Sequence, residues 1–120
     1  TITFMRWLKN GKTVLYAPDQ DYGIKNSVIV NFFGIPAASI SAPLKIIKSS
    51  DCKTFFMNSY FKKEKLIIDI EEVKLSDKTV DEFCLELNML IEAKIKLHPS
   101  EYLWQHRRFK STLGKESIYK

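Results

Sequence analysis

One amphipathic helix near the end of the sequence sets the strongest constraint on the fold. Thr79 and Glu82 have the spacing of a capping box, in which each side chain bonds the other residue's backbone N–H at a helix start. Pro99 marks the end of the pattern. The apolar residues between recur every three or four positions and so share one helical face: Val80, Phe83, Cys84, Leu87, Ile91 and Ile95.

Shorter elements are predicted before this helix. Apolar runs predict strands, and glycine or proline marks their ends. The predicted elements are a helix at 2–10 ended by Gly11, a strand at 13–17, a strand at 27–33 ended by Gly34 and Pro36, a helix at 37–49 weakened by Pro43, and strands at 53–60 and 66–70 joined by a charged turn at 62–65.

The order strand, helix, strand predicts a right-handed crossover and hence an α/β fold with a mixed, partly parallel sheet flanked by helices. Parallel sheets need helices on both faces. The sequence supplies few helices for that purpose. We therefore expect a covering layer from a missing N-terminal part or from a partner.

Composition indicates a folded domain that binds anions. The chain has 120 residues, 45% of them hydrophobic and 28% charged, which is typical of a globular domain or part of one. A net charge of +5 favours nucleic acid, phospholipid head groups or phosphorylated glycolipids as partners.

Cys84 lies on the apolar helical face, so we expect a buried thiol and no disulfide. The sequence contains no run of eighteen apolar residues, so no membrane span is predicted. The start at Thr1 is consistent with a fragment.

The segment PSEYLWQHRRFK at 99–110 combines aromatic anchors with cations. Arg107, Arg108 and Lys110 lie within a basic tail at 105–120 and can bind a phosphate or a sugar acid; the arginines can equally form an internal ion pair with an acid of the polar loop at 18–25. Neighbouring cations should discourage protonation of His106, for which a structural hydrogen bond is favoured over a role as a base.

The polar loop carries Asp19 and Asp21 directly after a predicted strand. Ligands collect at the carboxyl ends of strands in open α/β sheets. The two carboxylates can bind a cation, pair with the arginines, bond sugar hydroxyls or stabilise a turn. No further acid or histidine cluster lies nearby in the sequence, so neither a metal nor another cofactor is predicted.

Three motifs together resemble the bacterial lipid A biosynthesis acyltransferases, the late lauroyl and myristoyl transferases. They are YAPDQDYG at 16–23, VNFFGIPAAS at 30–39 and the segment at 99–110, in that order. The second departs from the family at Asn31, where proline is usual. The resemblance implies the C-terminal portion, residues 1–120, of a larger enzyme with a glycerolipid-acyltransferase-like fold.

The resemblance also implies a function. The enzyme would transfer a fatty acyl group from acyl carrier protein to a hydroxyl of a Kdo-bearing lipid A precursor, at the cytoplasmic face of the bacterial inner membrane. The substrate-binding residues implied by the motifs are Asp19, Asp21, Tyr22, His106, Arg107, Arg108 and Lys110. The membrane surface and the N-terminal part would be further partners, and nucleic acid would not.

The family's catalytic motif, a histidine followed five positions later by an acid, has no copy in this sequence. The positions five after His98 and His106 are Leu103 and Ser111. The resemblance therefore implies a catalytic pair upstream of Thr1, no catalytic residue in this chain and no activity of the chain alone. Two alternatives stay open: a non-catalytic basic module that binds phospholipid or nucleic acid, and a degenerate remnant of a divided gene.

Overall fold

The computed structural model describes residues 2–114, which form a mixed α/β structure. The tail positions 115–120, including Lys115 and Lys120, lie outside the described residues. The elements in chain order are helix α1 (Ile2–Lys9), strands β1 (Ser27–Phe32) and β2 (Ile35–Ile40), helix α2 (Ala42–Ser50), strands β3 (Phe55–Lys62) and β4 (Lys65–Glu72), helix α3 (Val80–Leu97) and a 3-10 turn (Pro99–Glu101).

The four strands form two antiparallel hairpins. β1 pairs with β2 through a two-residue turn at Phe33 and Gly34, whose φ angles are 52° and 75°. β3 pairs with β4 through Lys63 and Glu64, whose φ angles are 48° and 63°. Positive φ at both central residues matches the twist of the flanking strands and defines a tight hairpin. The predicted strands at 27–33, 53–60 and 66–70 and the turn at 62–65 are thus confirmed, with small shifts at their ends.

One predicted element is wrong, and another is confirmed only in part. Residues 13–17 form no regular strand, because β-branched and aromatic residues need a neighbouring strand and none in the described part of the chain pairs with them. The predicted helix at 37–49 begins only at Ala42, and the residues before it form β2. Pro43 lies in the first turn, where its missing N–H costs nothing, so it starts α2 and does not kink it.

The predicted crossover is also corrected. β2 and β3 flank α2 in the chain but belong to different sheets, and both sheets within residues 2–114 are antiparallel. A partly parallel sheet is therefore not confirmed. The reason is local: once residues 35–40 form a strand, the nearest partner is β1 across a two-residue turn, and a hairpin requires no crossover helix.

Helix α3 packs across the first hairpin and forms the core. Its capping box is present: Thr79 N donates to Glu82 Oε2 at 2.9 Å, and Glu82 N donates to Thr79 Oγ1 at 3.3 Å. The predicted apolar face is largely buried. Ile91 and Ile95 join one apolar cluster with Phe32 and Ala37; Phe83 and Cys84 join a second with Leu44 and Ile47. Between residues 2 and 114, no helix has the length and apolar character needed to cross a bilayer.

Candidate functional site

The polar loop and the C-terminal segment are joined through Asp21. Its backbone N–H donates to His106 Nε2 at 2.8 Å, across 85 positions of sequence. Its carboxylate accepts from the backbone N–H and hydroxyl of Ser111, at 2.9 and 2.7 Å, and from Gly23 N at 2.8 Å. Asp21 is only 2% exposed. We call these three residues, Asp21, His106 and Ser111, the loop–tail junction.

Arg108 joins the same segment to the first hairpin and to α3. Its Nη1 donates to the carbonyl of Ala38 at 2.7 Å, and its Nη2 donates to Ser39 Oγ at 2.9 Å and to Asn88 Oδ1 at 3.4 Å. The guanidinium carbon lies 5.1 Å from the centre of the Phe32 ring. The side chain is 2% exposed, so its hydrogen bonds form inside the protein. A buried charge must be compensated in this way to be tolerated.

The local sequence explains why these acceptors are available. The turn at Phe33 and Gly34 folds β2 back against β1, and Ala38 and Ser39 of β2 are both buried. Asn88 replaces an apolar residue on the buried face of α3, and its Nδ2 donates to Asn31 O and to Ser39 Oγ, both at 2.9 Å. Its Oδ1 is thereby left to face the guanidinium. This polar patch, formed by Arg108, Asn31, Ser39 and Asn88, is built from the second and third motifs and one helical amide.

The second motif also closes the core beneath this patch. Phe32 packs edge to face against Phe33 with ring centres 5.0 Å apart, and at 6.1 Å from Phe109. The backbone N–H of Phe33 donates to Glu92 Oε1 at 2.7 Å, and Thr112 Oγ1 donates to Pro36 O at 2.7 Å. The apolar corner of the motif is therefore a tight turn held against α3.

Burial and neighbouring groups shift the pKa values of both titrating residues of the junction. Burial lowers the pKa of His106; Lys110 and Arg108 lower it further, while Asp19 and Asp21 oppose them. The predicted lowering of the His106 pKa is confirmed. Burial is its largest cause, and the charge of Lys110 lowers the pKa more than that of Arg108 does. Burial would raise the pKa of Asp21, but hydrogen bonds from Ser111 and Gly23 together with the charge of Lys110 hold it below its usual value. At neutral pH both shifts favour a neutral imidazole and an ionised carboxylate.

Both histidines have structural partners within the fold. His106 Nε2 already accepts the Asp21 N–H, so the structural hydrogen bond predicted for it is confirmed. His98 caps α3, and its ring stacks on Tyr60 with centres 3.7 Å apart and planes 10° from parallel. Residues 2–114 contain no group of three side chains suited to hold a metal ion.

The seven predicted substrate-binding residues fall into two groups. Asp21, His106 and Arg108 take part in the hydrogen bonds described above. Asp19 and Lys110 are half-buried and close enough to influence His106, while Tyr22 and Arg107 are exposed. Tyr22 Oη donates to Ala17 O at 3.1 Å. Whether these residues bind substrate stays a prediction, but the geometry separates an internal group from a surface group.

The internal ion pair suggested for the arginines takes another form. The loop acid Asp21 is bound by Ser111 and His106. The acceptors of Arg108 include a carbonyl, a hydroxyl and an amide. Sequence reasoning missed Ser39, Asn88 and Ser111. Of these three residues, Asn88 could have been identified from the sequence, because a single amide on an apolar helical face requires a buried hydrogen-bond partner.

Comparison with known proteins gives the same family as the motifs. The model of the bacterial lipid A biosynthesis acyltransferase family matches residues 2–111, nearly the whole chain. The chain belongs to this family. The lipid A biosynthesis palmitoleoyltransferase of Escherichia coli K12 is 31% identical over 118 residues, covering 93% of this chain and 38% of that protein.

Two further relatives give the same result. The lipid A biosynthesis lauroyltransferase of Escherichia coli K12 is 31% identical over 109 residues, which cover 87% of this chain and 36% of that enzyme. A lipid A biosynthesis acyltransferase of Haemophilus influenzae is 29% identical over 112 residues, which cover 87% of this chain and 35% of the relative. This member of the family thus spans little more than a third of the length of these relatives.

Proposed function

We propose that the chain is the C-terminal part of an enzyme that transfers a fatty acyl group from acyl carrier protein to a hydroxyl of a Kdo-bearing lipid A precursor. The match of residues 2–111 to the family model carries this proposal. The hydrogen bonds between the motifs support it: Asp21 joins the first motif to the third, and Arg108 joins the third to the second. Such bonds hold the three motifs in a fixed arrangement within the fold. Reaction at the cytoplasmic face of the inner membrane belongs to the same proposal.

The proton-removing group would lie in the preceding part of the polypeptide. Acyl transfer to a hydroxyl needs a base within reach of the hydroxyl proton and a carboxylate that orients the base. His98 is stacked on Tyr60 and His106 is bonded to Asp21. The preceding part would supply the histidine and acid five residues apart, and with this chain would complete a glycerolipid-acyltransferase-like fold with a mixed sheet. The chain alone would be inactive.

The surface group is the proposed contact with the acceptor. Arg107 and Lys110 flank the buried Arg108, and Asp19 and Tyr22 lie on the loop that the junction fixes against them. Guanidinium and ammonium groups bind phosphates and sugar acids, and carboxylates accept hydrogen bonds from sugar hydroxyls. Asp21, His106 and Arg108 would act as positioning residues that hold this surface in shape.

The test uses the enzyme encoded by the full reading frame. Purified enzyme is incubated with acyl carrier proteins bearing different fatty acids and with a Kdo-lipid A precursor, and mass spectrometry follows the gain of one acyl group. We expect transfer by the full-length protein and none by residues 1–120. A variant of the upstream histidine is the inactive control. Failure of the full-length protein to transfer any of the acyl groups, or turnover by residues 1–120, would refute the corresponding part of the proposal.

A further inference from the structure

The second hairpin presents an apolar face that nothing in the described residues covers. Strands alternate their side chains between two faces, and the β3–β4 register places six large apolar side chains on the same one. Each is between 47% and 63% exposed: Phe55, Met57, Phe61, Leu66, Ile68 and Ile70. We call these six residues the hairpin face. A contiguous surface of this kind indicates an interaction site.

The opposite face of the same hairpin is the more polar one, yet it is the face that packs against the protein. Tyr60 stacks on His98, Glu71 forms an ion pair with Lys94 at 3.0 Å, and Phe56 packs against the core. Asn58 and Asp69 face each other across the strands on this side. A sheet normally buries its more apolar side. The hairpin face is therefore the side of this sheet that is expected to be covered by protein.

A second element has the same character. Helix α1 buries none of its residues, and Ile2 and Trp7 are 73% and 42% exposed. A short helix gains most of its stability from packing one apolar side. The first helix and the second hairpin thus both display surfaces suited to further protein.

We propose that the hairpin face packs against the part of the polypeptide that precedes Thr1 in the full-length enzyme, and so forms a layer of a larger common core. This inference rests on the proposed function, in which the chain is the C-terminal part of a longer enzyme. The relatives supply the length: this chain spans only 35–38% of three of them, so most of a homologous polypeptide is available to form the opposing layer.

A lipid surface is a poorer occupant for a physical reason. Within residues 2–114, β3 pairs with β4 alone, so each strand keeps one outer edge of backbone N–H and C=O groups. Hydrocarbon cannot satisfy those groups, whereas a neighbouring strand of the same protein can. The lysines of the hairpin lie at its turn, at positions 62, 63 and 65, and the hairpin face itself carries none.

Site-specific photo-cross-linking in the full-length enzyme identifies the occupant. Benzoylphenylalanine replaces Phe55 or Phe61, and the same probe at Leu97, which is 68% exposed at the end of α3, is the control. The protein is irradiated in detergent and in vesicles of phosphatidylethanolamine and phosphatidylglycerol. We expect both hairpin probes to cross-link to peptides upstream of Thr1, in either medium and at the monomer mass. Cross-links confined to lipid or to a second copy, or no cross-link from either probe, would overturn the proposal.

A charge substitution provides an independent readout. Ile68→Lys places an ammonium on the hairpin face, and Leu97→Lys places the same group at a helix C-terminus, where a cation is tolerated. If protein covers the hairpin face, Ile68→Lys lowers Tm of the full-length enzyme by about 5–10 °C or prevents soluble expression, while Leu97→Lys changes Tm by less than about 2 °C. Equal Tm values for wild type and Ile68→Lys would contradict the proposal.

The two proposals fail separately. An enzyme that transfers acyl groups while its hairpin probes react only with lipid keeps the proposed function and loses the docking surface. A protein whose hairpin probes reach the upstream peptides but which transfers no acyl group keeps the docking surface and loses the proposed function.

Discussion

The carboxylate of Asp21 receives two hydrogen bonds from Ser111, one from the backbone N–H at 2.9 Å and one from the hydroxyl at 2.7 Å. The two residues lie 90 positions apart: Asp21 belongs to the first motif, and Ser111 directly follows the third. A carboxylate is suited to this role because both of its oxygens accept, whereas an amide has one accepting oxygen.

Asp21→Asn should therefore destabilise the enzyme even though its shape is unchanged. The amide nitrogen would face an N–H or hydroxyl donor, and a buried donor would lose its partner. We expect a loss of about 1–3 kcal/mol in the free energy of unfolding, measured by urea denaturation. Asp19→Asn, two positions away and outside the junction, is the matched control and should change stability by less than about 0.5 kcal/mol. Equal losses for both variants would show that the junction contributes nothing specific.

Arg108 and Arg107 are adjacent in sequence and should respond differently to substitution. Arg108→Lys keeps the charge but loses the planar fork that reaches Ala38 and Ser39 together. We expect a loss of stability of about 2–4 kcal/mol and a corresponding fall in Tm, measured by calorimetry. Arg107→Lys is the control, and its Tm should stay near that of the wild type, since Arg107 is exposed. A larger effect at Arg107 than at Arg108 would contradict the structure.

Arg107→Ala tests the surface group. If the guanidinium contacts the anionic acceptor, KM for the Kdo-lipid A precursor should rise about tenfold, because a charge-assisted hydrogen bond contributes about 1.5–3 kcal/mol. The KM for acyl carrier protein and Tm should change little. Steady-state kinetics with each substrate varied in turn measures the difference. A fall in Tm together with an unchanged acceptor KM would instead assign Arg107 a structural role.

His106 gives the junction a pH dependence. Its pKa is lowered in the folded protein, mainly by burial, from an ordinary value of ~6.5. As pH falls below ~6.5, the unfolded chain takes up a proton that the folded chain resists, so the free energy of unfolding decreases. Above that pH both forms are neutral, and the contribution of the hydrogen bond to Asp21 is complete.

The comparison of wild type with His106→Gln isolates this effect, because other titrating groups cancel. The wild type should be more stable by about 1 kcal/mol at pH 7.5, and its advantage should shrink between pH 6.5 and pH 5. Chemical denaturation at each pH measures the difference. An advantage that grows toward acid pH would mean that the imidazole is protonated in the fold.

Cys84 should resist alkylation. Burial raises the pKa of its thiol to about 11, with Asp81 adding to the shift and Arg108 opposing it. At pH 8 such a thiol has about a hundredfold less thiolate than an ordinary cysteine, and reagent cannot reach it. We expect mass spectrometry to detect alkylation of Cys84 by iodoacetamide in urea and almost none in the folded enzyme. Equal rates in the two conditions would show that the α3 face is not buried.

The elements predicted well from sequence are those with local causes. The cap at Thr79, the apolar spacing of α3 and the charged turn before Lys65 act over a few residues, so the pattern alone predicts them. Strand β2 was missed because its central residues, 37–39, are small and its second residue is a proline. Its strand conformation comes from pairing with β1 and from the turn at Phe33, a bulky residue with positive φ that no propensity rule anticipates.

The candidate site was likewise predicted in part: some of its residues could be identified from the sequence, but their contacts could not. Sequence identified Asp21, His106 and Arg108 as important, because aspartates in a turn and cations among aromatics have recognisable chemistry. It could not predict whether Arg108 faces a ligand or the interior. That outcome depends on Ala38 and Asn88, which lie 70 and 20 positions away and are brought to the guanidinium by tertiary folding.

Burial of Arg108 has a consequence for how damage to the encoding gene would act. A premature stop codon at or before this position would leave the buried Ser39 and Asn88 without the hydrogen bonds that the guanidinium donates. It would also expose to water the apolar cluster around Phe32, against which the guanidinium packs. The product would be a substrate for proteolysis. Nonsense mutations at every codon up to that of Arg108 should therefore prevent accumulation of the folded protein.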